Sequence, residues 1–138
     1  MAESSQHLEL VNLILSYLEQ RWGNLKGFIV LSDFLNRVGA EGPPRIAGFS
    51  PDVYAADVPM TTMVIGEAKT SQDLTRPHSR EQLCAYLEHL RYQAKGVLIV
   101  AVPCFFAASA RIVLETARRT TGLREEDVEV IILELFES

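Results

Sequence analysis

The stretch from Ser50 to Thr70, "SPDVYAADVPMTTMVIGEAKT", places charged side chains inside a segment that is otherwise built to be buried. Side chains alternate along a strand, so Glu67 and Lys69 share one face with the apolar Met63 and Ile65. An acid and a base on a largely apolar strand face are unusual in a small domain, because burying charge costs free energy. This pair is therefore the first candidate for chemistry.

A second acid joins the pair if residues 51–57 and 61–70 form a hairpin. With the hairpin symmetric about the Pro59–Met60 bond, Asp52 lies directly opposite Glu67, with Cβ atoms ~5 Å apart. Two opposed carboxylates are destabilising unless a cation lies between them, and Mg²⁺ or Mn²⁺ takes such oxygen ligands together with water and phosphate oxygens. Lys69 could orient a water or offset charge on a phosphate. The alternative is a solvated Glu–Lys pair and an Asp that caps a turn.

The elements that position these residues indicate one α/β domain spanning residues 1–138. The predicted order is helix, three strands, helix, strand, helix and strand (αβββαβαβ), at residues 8–22, 27–34, 51–57, 61–70, 80–93, 96–103, 105–121 and 126–136. Because the two late helices connect strands, part of the sheet should be parallel and covered by helices on its faces. The fold class is therefore a mixed β-sheet flanked by helices in a three-layer core.

Turn and capping residues set the predicted boundaries. Ser79 is expected to cap the helix that begins at Arg80, with Gln82 as its capping-box partner. Gly96 should end that helix and Gly122 the next one. The segment "TSQDLTRPHS" is predicted to be a loop, and the glycine- and proline-rich segment 36–50 is either a substrate-reading element or a connector.

The same residues resemble the PD-(D/E)XK nuclease family. The pattern is Pro51-Asp52 followed one strand later by Glu67-Ala68-Lys69, and "EQLCAYL" is similar to the Gln-x-x-x-Tyr element of one branch. The order of elements is similar to that family's restriction-endonuclease-like core from about Leu8 to Val102. The last helix and strand would be an extension.

This resemblance implies a role for each matching residue. Asp52 and Glu67 would ligate the metal, with the Ala68 backbone carbonyl as a further ligand. Lys69 would position the attacking water or stabilise the transition state. Gln82 would approach the scissile phosphate, with Tyr86 one turn further along, unless Gln82 serves the helix cap instead.

Further candidates lie outside the motif. Many members of the family use an acid from the first helix, and Glu9 matches it in position, although it lies on a polar stripe that is also typical of a solvated helix face. The basic residues of the flanking loops are candidates for contact with nucleic acid or simply solvated charges. They are Arg45, Arg76, His78 and Arg80, and Tyr86 is placed with them.

Charge and composition constrain the partner only weakly. The net charge is −5, but six of the 18 acids and no base lie from Glu125 onward, so the rest of the chain carries 13 basic and 12 acidic residues. This balance neither supports nor excludes a polyanionic partner. Cys84 and Cys104 lack metal-ligand spacing, which favours reduced thiols over zinc. The first ten residues show no leader pattern and no apolar run is long enough to span a membrane, so a cytoplasmic protein is expected.

The predicted function is a Mg²⁺- or Mn²⁺-dependent nuclease that hydrolyses phosphodiester bonds of DNA in repair, recombination or defence. The alternative is a catalytically silent member of the same fold that binds nucleic acid or another protein. A homodimer is also expected if the apolar final strand lies at a sheet edge. The sequence does not separate DNA from RNA or an endonuclease from an exonuclease.

Overall fold

The computed structural model describes residues 5–32 and 42–136 of the 138-residue chain. These residues form a five-stranded sheet and four helices within the described ranges. The elements are α1 (Ser5–Arg21), β1 (Phe28–Ser32), β2 (Val53–Asp57), β3 (Thr62–Ala68), α2 (Ser71–Leu74), α3 (Pro77–Leu90), β4 (Lys95–Pro103), α4 (Ala107–Thr121) and β5 (Glu129–Leu135).

The sheet is mixed, with its strands in the spatial order β1-β2-β3-β4-β5. The first three strands pair antiparallel, and β3, β4 and β5 pair parallel. The predicted fold class is confirmed. Strand β4 lies inside the sheet and residues 96–102 are all buried, as its continuous apolar sequence predicts.

Helices cover both faces of the sheet and make three layers. Helix α1 buries Leu10, Ile14 and Leu18 against one face. Helices α3 and α4 both pack on the other face, where Leu83 and Leu114 belong to a second apolar cluster. This segregation follows from topology, because two successive right-handed crossovers that advance in one direction across a sheet lie on the same face.

The β2–β3 hairpin has the predicted register. Val53 pairs with Gly66 and Ala56 pairs with Met63, which continues to a position where Asp52 faces Glu67. The turn is held by Asp57, whose carboxylate accepts hydrogen bonds from the backbone N–H groups of Thr61 at 2.7 Å and Thr62 at 3.0 Å.

The segment after β3 differs from the sequence prediction. It contains the short helix α2, in which Asp73 accepts hydrogen bonds from the N–H and hydroxyl of Thr70 at 3.3 and 2.9 Å. Helix α3 then begins at Pro77, and Ser79 is a buried residue of its first turn rather than its cap. Proline provides the start because its fixed φ angle suits the first helical position.

Gly96 also has a different role from the predicted one. Helix α3 ends at Leu90, and Gly96 lies in β4. A Cβ atom at this position would lie 2.6 Å from the Leu90 carbonyl oxygen, so the close approach of α3 to β4 requires glycine. Gly122 ends α4 as predicted, with a left-handed φ of 70°.

The sequence predicts a loop at residues 36–50 and an apolar final strand. Of the predicted loop, residues 36–41 lie outside the described residues, while Ile46 and Phe49 form a short antiparallel bridge that folds the following part back on itself. Strand β5 lies at an edge of the sheet. Among the described helices, none has the length and apolar character needed to cross a membrane.

Candidate active site

Asp52 and Glu67 are joined by reciprocal hydrogen bonds between their two strands. The backbone N–H of Asp52 donates to Glu67 Oε1 at 3.1 Å, and the N–H of Ala68 donates to Asp52 Oδ2 at 2.9 Å. Beyond the last β2–β3 pair, each carboxylate therefore accepts the hydrogen bond of a backbone N–H that a carbonyl of the other strand would accept in a regular sheet. This arrangement fixes one oxygen of each acid and leaves Oδ1 of Asp52 and Oε2 of Glu67 for other partners.

A buried polar chain extends from these acids to helix α3. Glu67 and Lys69 are only 3% and 6% exposed, and the Lys69 ammonium lies 3.6 Å from Glu67 Oε2. The same ammonium donates a hydrogen bond to Gln82 Oε1. Gln82 Nε2 donates to the Tyr86 hydroxyl, which donates to Glu67 Oε1, each at 3.1 Å. The chain of contacts closes into a ring of four side chains.

The electrostatics of this ring follow from burial. Burial raises the pKa of Glu67 well above its ordinary value, the Asp52 charge raises it further, and the Lys69 ammonium opposes both effects. Burial and the nearby Glu67 charge also raise the pKa of Tyr86, so its hydroxyl stays a donor. An acid with a strongly raised pKa beside a second acid is typical of a functional site.

The structure corrects two predicted roles on α3. The sequence predicts that Tyr86 contacts nucleic acid, but its side chain is completely buried and its hydroxyl donates a hydrogen bond to Glu67. Gln82 does not complete a capping box, because Ser79 is not the cap and the Gln82 amide is engaged by Lys69 and Tyr86. Tyr86 therefore supports Glu67, and Gln82 supports Lys69 and Tyr86.

Replacing Tyr86 with phenylalanine is expected to lower the free energy of unfolding by about 1–3 kcal/mol, because the Gln82 amide loses its acceptor and Glu67 loses a donor in a buried position. Urea unfolding at neutral pH measures the change. Tyr92→Phe is the matched control, since the side chain of Tyr92 is exposed. Equal effects of the two substitutions would contradict the supporting role of the Tyr86 hydroxyl.

Sequence reasoning missed His7. Its Nε2 lies 3.5 Å from Asp52 Oδ1, and it continues the buried stripe of Leu10 and Ile14 to the start of α1. That continuation is the signal that could have identified it.

Glu9, the predicted contribution of the first helix, does not reach the acids in this structure. It is exposed, and two positions along a helix differ by about 200°. Since His7 faces Asp52, Glu9 points away. The prediction that Glu9 joins the metal ligands is not supported by its position.

The predicted basic residues are exposed but do not form one cluster. The His78 ring packs 5.3 Å from the Phe49 ring, which lies 6.4 Å from Tyr86, so His78 flanks the site. Arg45 lies in the Phe49 loop and donates to the Gly48 carbonyl at 2.8 Å. The other two lie at the start of α3: Arg76 lies 3.8 Å from the Asp73 carboxylate, and Arg80 lines a surface cleft of about 560 Å³ between α3 and α4.

The donor set at the acids fits a hard divalent cation such as Mg²⁺ or Mn²⁺. Asp52 and Glu67 supply carboxylate oxygens, and the Ala68 carbonyl points to the same side of its strand as the Ala68 N–H that contacts Asp52. Within the part of the chain that the structure describes, no group of three or more His, Cys, Asp or Glu side chains could hold a metal ion. The other ligands would be water and phosphate oxygens, as Mg²⁺ prefers.

The chain was compared with family models, curated proteins and solved structures. No family model and no curated protein matches it. Among solved structures it is similar to a chain of the CdiA-CT/CdiI toxin and immunity complex from Yersinia pseudotuberculosis. The TM-score is 0.46 and the identity 13%, over 75% of this chain and 97% of that one. A similarity this distant carries no functional argument.

Proposed function

We propose that this chain is a divalent-metal-dependent nuclease that hydrolyses phosphodiester bonds, with DNA as the substrate. The observation that carries the proposal is the buried Glu67–Lys69 pair, which meets Asp52 at the end of β3. Burying these charged side chains costs free energy, and an apolar pair at the same positions would avoid that cost. Their arrangement suits a reaction that needs a cation, an oriented water and a positive group near a phosphate.

Asp52, Glu67 and the Ala68 carbonyl would hold the ion. When bound, it would lower the pKa of a water molecule and offset negative charge on the phosphate. Asp52 is kept in place by the Ala68 N–H, and Glu67 by the Asp52 N–H and the Tyr86 hydroxyl. This support keeps both carboxylates oriented without the ion.

Lys69 would act on the substrate directly. Its ammonium is held by Gln82 and by the charge of Glu67, and it has a further proton to donate. That N–H group would donate a hydrogen bond to the attacking water or to a non-bridging phosphate oxygen, where negative charge increases in the transition state. Water adds to phosphorus, the bond to the leaving oxygen breaks, and that oxygen takes up a proton.

The acidic last segment does not oppose a polyanionic partner as strongly as its sequence indicates. Glu129 makes a two-point ion pair with Arg21 at 2.7 and 2.9 Å. Asp127 pairs with Arg124 at 3.1 Å, and Glu134 accepts a backbone N–H. These contacts offset part of the local negative charge. Arg45 and His78 remain exposed, and His78 flanks the candidate site through the Phe49 ring.

Cleavage of fluorescently labelled DNA tests the proposal. Single-stranded, duplex and branched substrates are incubated with Mg²⁺ or Mn²⁺, in EDTA, and in EDTA followed by excess metal. We expect cleavage that is lost in EDTA and restored by the metal. Cleavage that persists in EDTA would contradict a metal-dependent mechanism. DNA binding that no metal converts into cleavage would instead support the silent binding module.

A further inference from the structure

Phe105 is held in an unfavourable conformation on the surface. Its φ angle is 74°, a left-handed value that is energetically unfavourable for any residue with a Cβ atom. Its ring is 89% exposed, so apolar burial does not offset this cost. The backbone N–H of Phe105 donates to Glu134 Oε2 at 2.9 Å, which ties the β4–α4 connection to β5. A bulky residue in this state calls for a functional reason.

A second exposed ring lies beside it. Phe136, which follows β5, is 67% exposed. The strand ends that carry the two rings are paired at Pro103 and Leu135. Both rings line one cleft of about 440 Å³, together with Gln6, Pro103, Cys104 and Leu135. The lining contains no charged side chain, so the cleft suits a flat, uncharged group better than a phosphate.

The cleft lies at the same end of the sheet as the candidate active site. Strands β3, β4 and β5 are parallel, so their carboxyl ends meet at one end of the sheet, where ligands of open α/β sheets bind. Lys69 follows the carboxyl end of β3. Gln6 of the cleft is followed in α1 by His7, whose Nε2 lies 3.5 Å from Asp52 Oδ1. The cleft and the candidate site therefore lie at the same end of the sheet, and adjacent residues of α1 contribute to each.

We propose that this cleft binds an unpaired nucleobase of the strand being cut, stacked on Phe105 and Phe136. The inference rests on the proposed nuclease function and specifies its substrate as a strand with unpaired bases beside the scissile bond. Aromatic side chains stack on any base, because every base has a π-face. Bases inside a duplex are already stacked on their neighbours, so a fully paired substrate leaves the cleft empty.

The test measures binding of a short fluorescein-labelled single strand and of the blunt duplex of the same sequence. Fluorescence anisotropy is recorded in EDTA, and cleavage in Mn²⁺ is followed in parallel. Phe105→Leu and Phe136→Leu should each weaken single-strand binding about tenfold, whereas Phe105→Trp should retain it. Duplex binding should change little. Tyr92→Leu, at an exposed aromatic residue beyond α3, is the matched control and should have no effect.

Three results of the binding, cleavage and light-scattering assays would overturn the inference, and they have different consequences for the proposed nuclease function. Wild-type single-strand binding in both leucine variants, with wild-type cleavage intact, removes the stacking cleft but not the nuclease. A wild-type protein that neither binds nor cleaves any strand in Mn²⁺ removes the proposed function as well. Light scattering that shows a wild-type dimer dissociated by Phe105→Leu would make the cleft a contact between two copies of the chain.

The strain at Phe105 gives an independent measurement. Phe105→Gly removes the left-handed penalty, so the midpoint of thermal unfolding should be unchanged or higher. Single-strand binding should nevertheless fall as it does in Phe105→Leu. Glycine also increases the conformational entropy of the unfolded chain. A midpoint lowered in both Phe105→Gly and Phe105→Leu would therefore show that the ring stabilises the fold through packing, and would overturn its assignment to ligand binding.

Discussion

Replacing Lys69 with methionine is expected to lower the rate of DNA cleavage by about 10²- to 10³-fold, the usual cost of removing one preorganised donor from a transition state. Methionine keeps most of the side-chain volume in this buried position but removes the charge beside Glu67 Oε2 and the donor to Gln82. Single-turnover cleavage with saturating enzyme and Mn²⁺ measures the chemical step.

Two further variants separate the role of Lys69 from a general effect of charge or folding. Lys95→Met is the matched control, because Lys95 is exposed at the amino end of β4, and it should cleave like the wild type. Lys69→Arg keeps the charge but cannot place a planar guanidinium in the space of an ammonium, so it should also be slow. A folded Lys69→Met protein with wild-type rates would exclude Lys69 from the chemistry.

Replacing Glu67 with glutamine is expected to abolish measurable Mn²⁺ binding. The substitution removes one of the two carboxylates that face each other at the end of the hairpin, and losing even an outer-shell partner of a metal site typically costs about 10- to 100-fold in affinity. Isothermal titration calorimetry compares the two proteins. If the wild type binds weakly, a short uncleavable DNA analogue can complete the ligand shell through its phosphate oxygens.

The raised pKa of Glu67 gives this variant a second signature. A carboxyl group whose pKa is higher in the folded than in the unfolded protein stabilises the fold fully below the ordinary value of 4.5, and this stabilisation is lost as the pH rises through the folded pKa. In EDTA, the thermal midpoint of the wild type should therefore fall relative to that of Glu67→Gln as the pH rises above about 4.5. Mn²⁺ at neutral pH should raise only the wild-type midpoint.

Glu9→Gln is the control for both measurements. It makes the same chemical change at an exposed acid of α1, and it should leave Mn²⁺ binding and the pH profile unchanged. Loss of Mn²⁺ binding in Glu9→Gln would restore Glu9 to the ligand set. Unchanged binding in Glu67→Gln would remove Glu67 from it.

Local sequence patterns determined the frame of this protein. The period of two along the predicted strand 61–70 put Glu67 and Lys69 on one face, and the symmetry of the hairpin put Asp52 opposite Glu67. Both inferences hold because strand alternation and hairpin register depend on residues close in the chain. The late helices implied a parallel half of the sheet for a similar reason, since a crossover helix covers the strands it connects.

Only the tertiary structure decided which side chains complete the site. His7 reaches Asp52 because α1 lies across the sheet, and Tyr86 reaches Glu67 because α3 packs on the other face. These partners are far apart in the chain, so no local period reports their contact. The start of α3 also differs from the predicted one, because Ser79 and Gln82 fit a capping pattern, whereas the helix begins at Pro77. The sequence by itself identified Asp52, Glu67 and Lys69 as candidates, and the packing of helices on two faces decided which side chains hold and surround them.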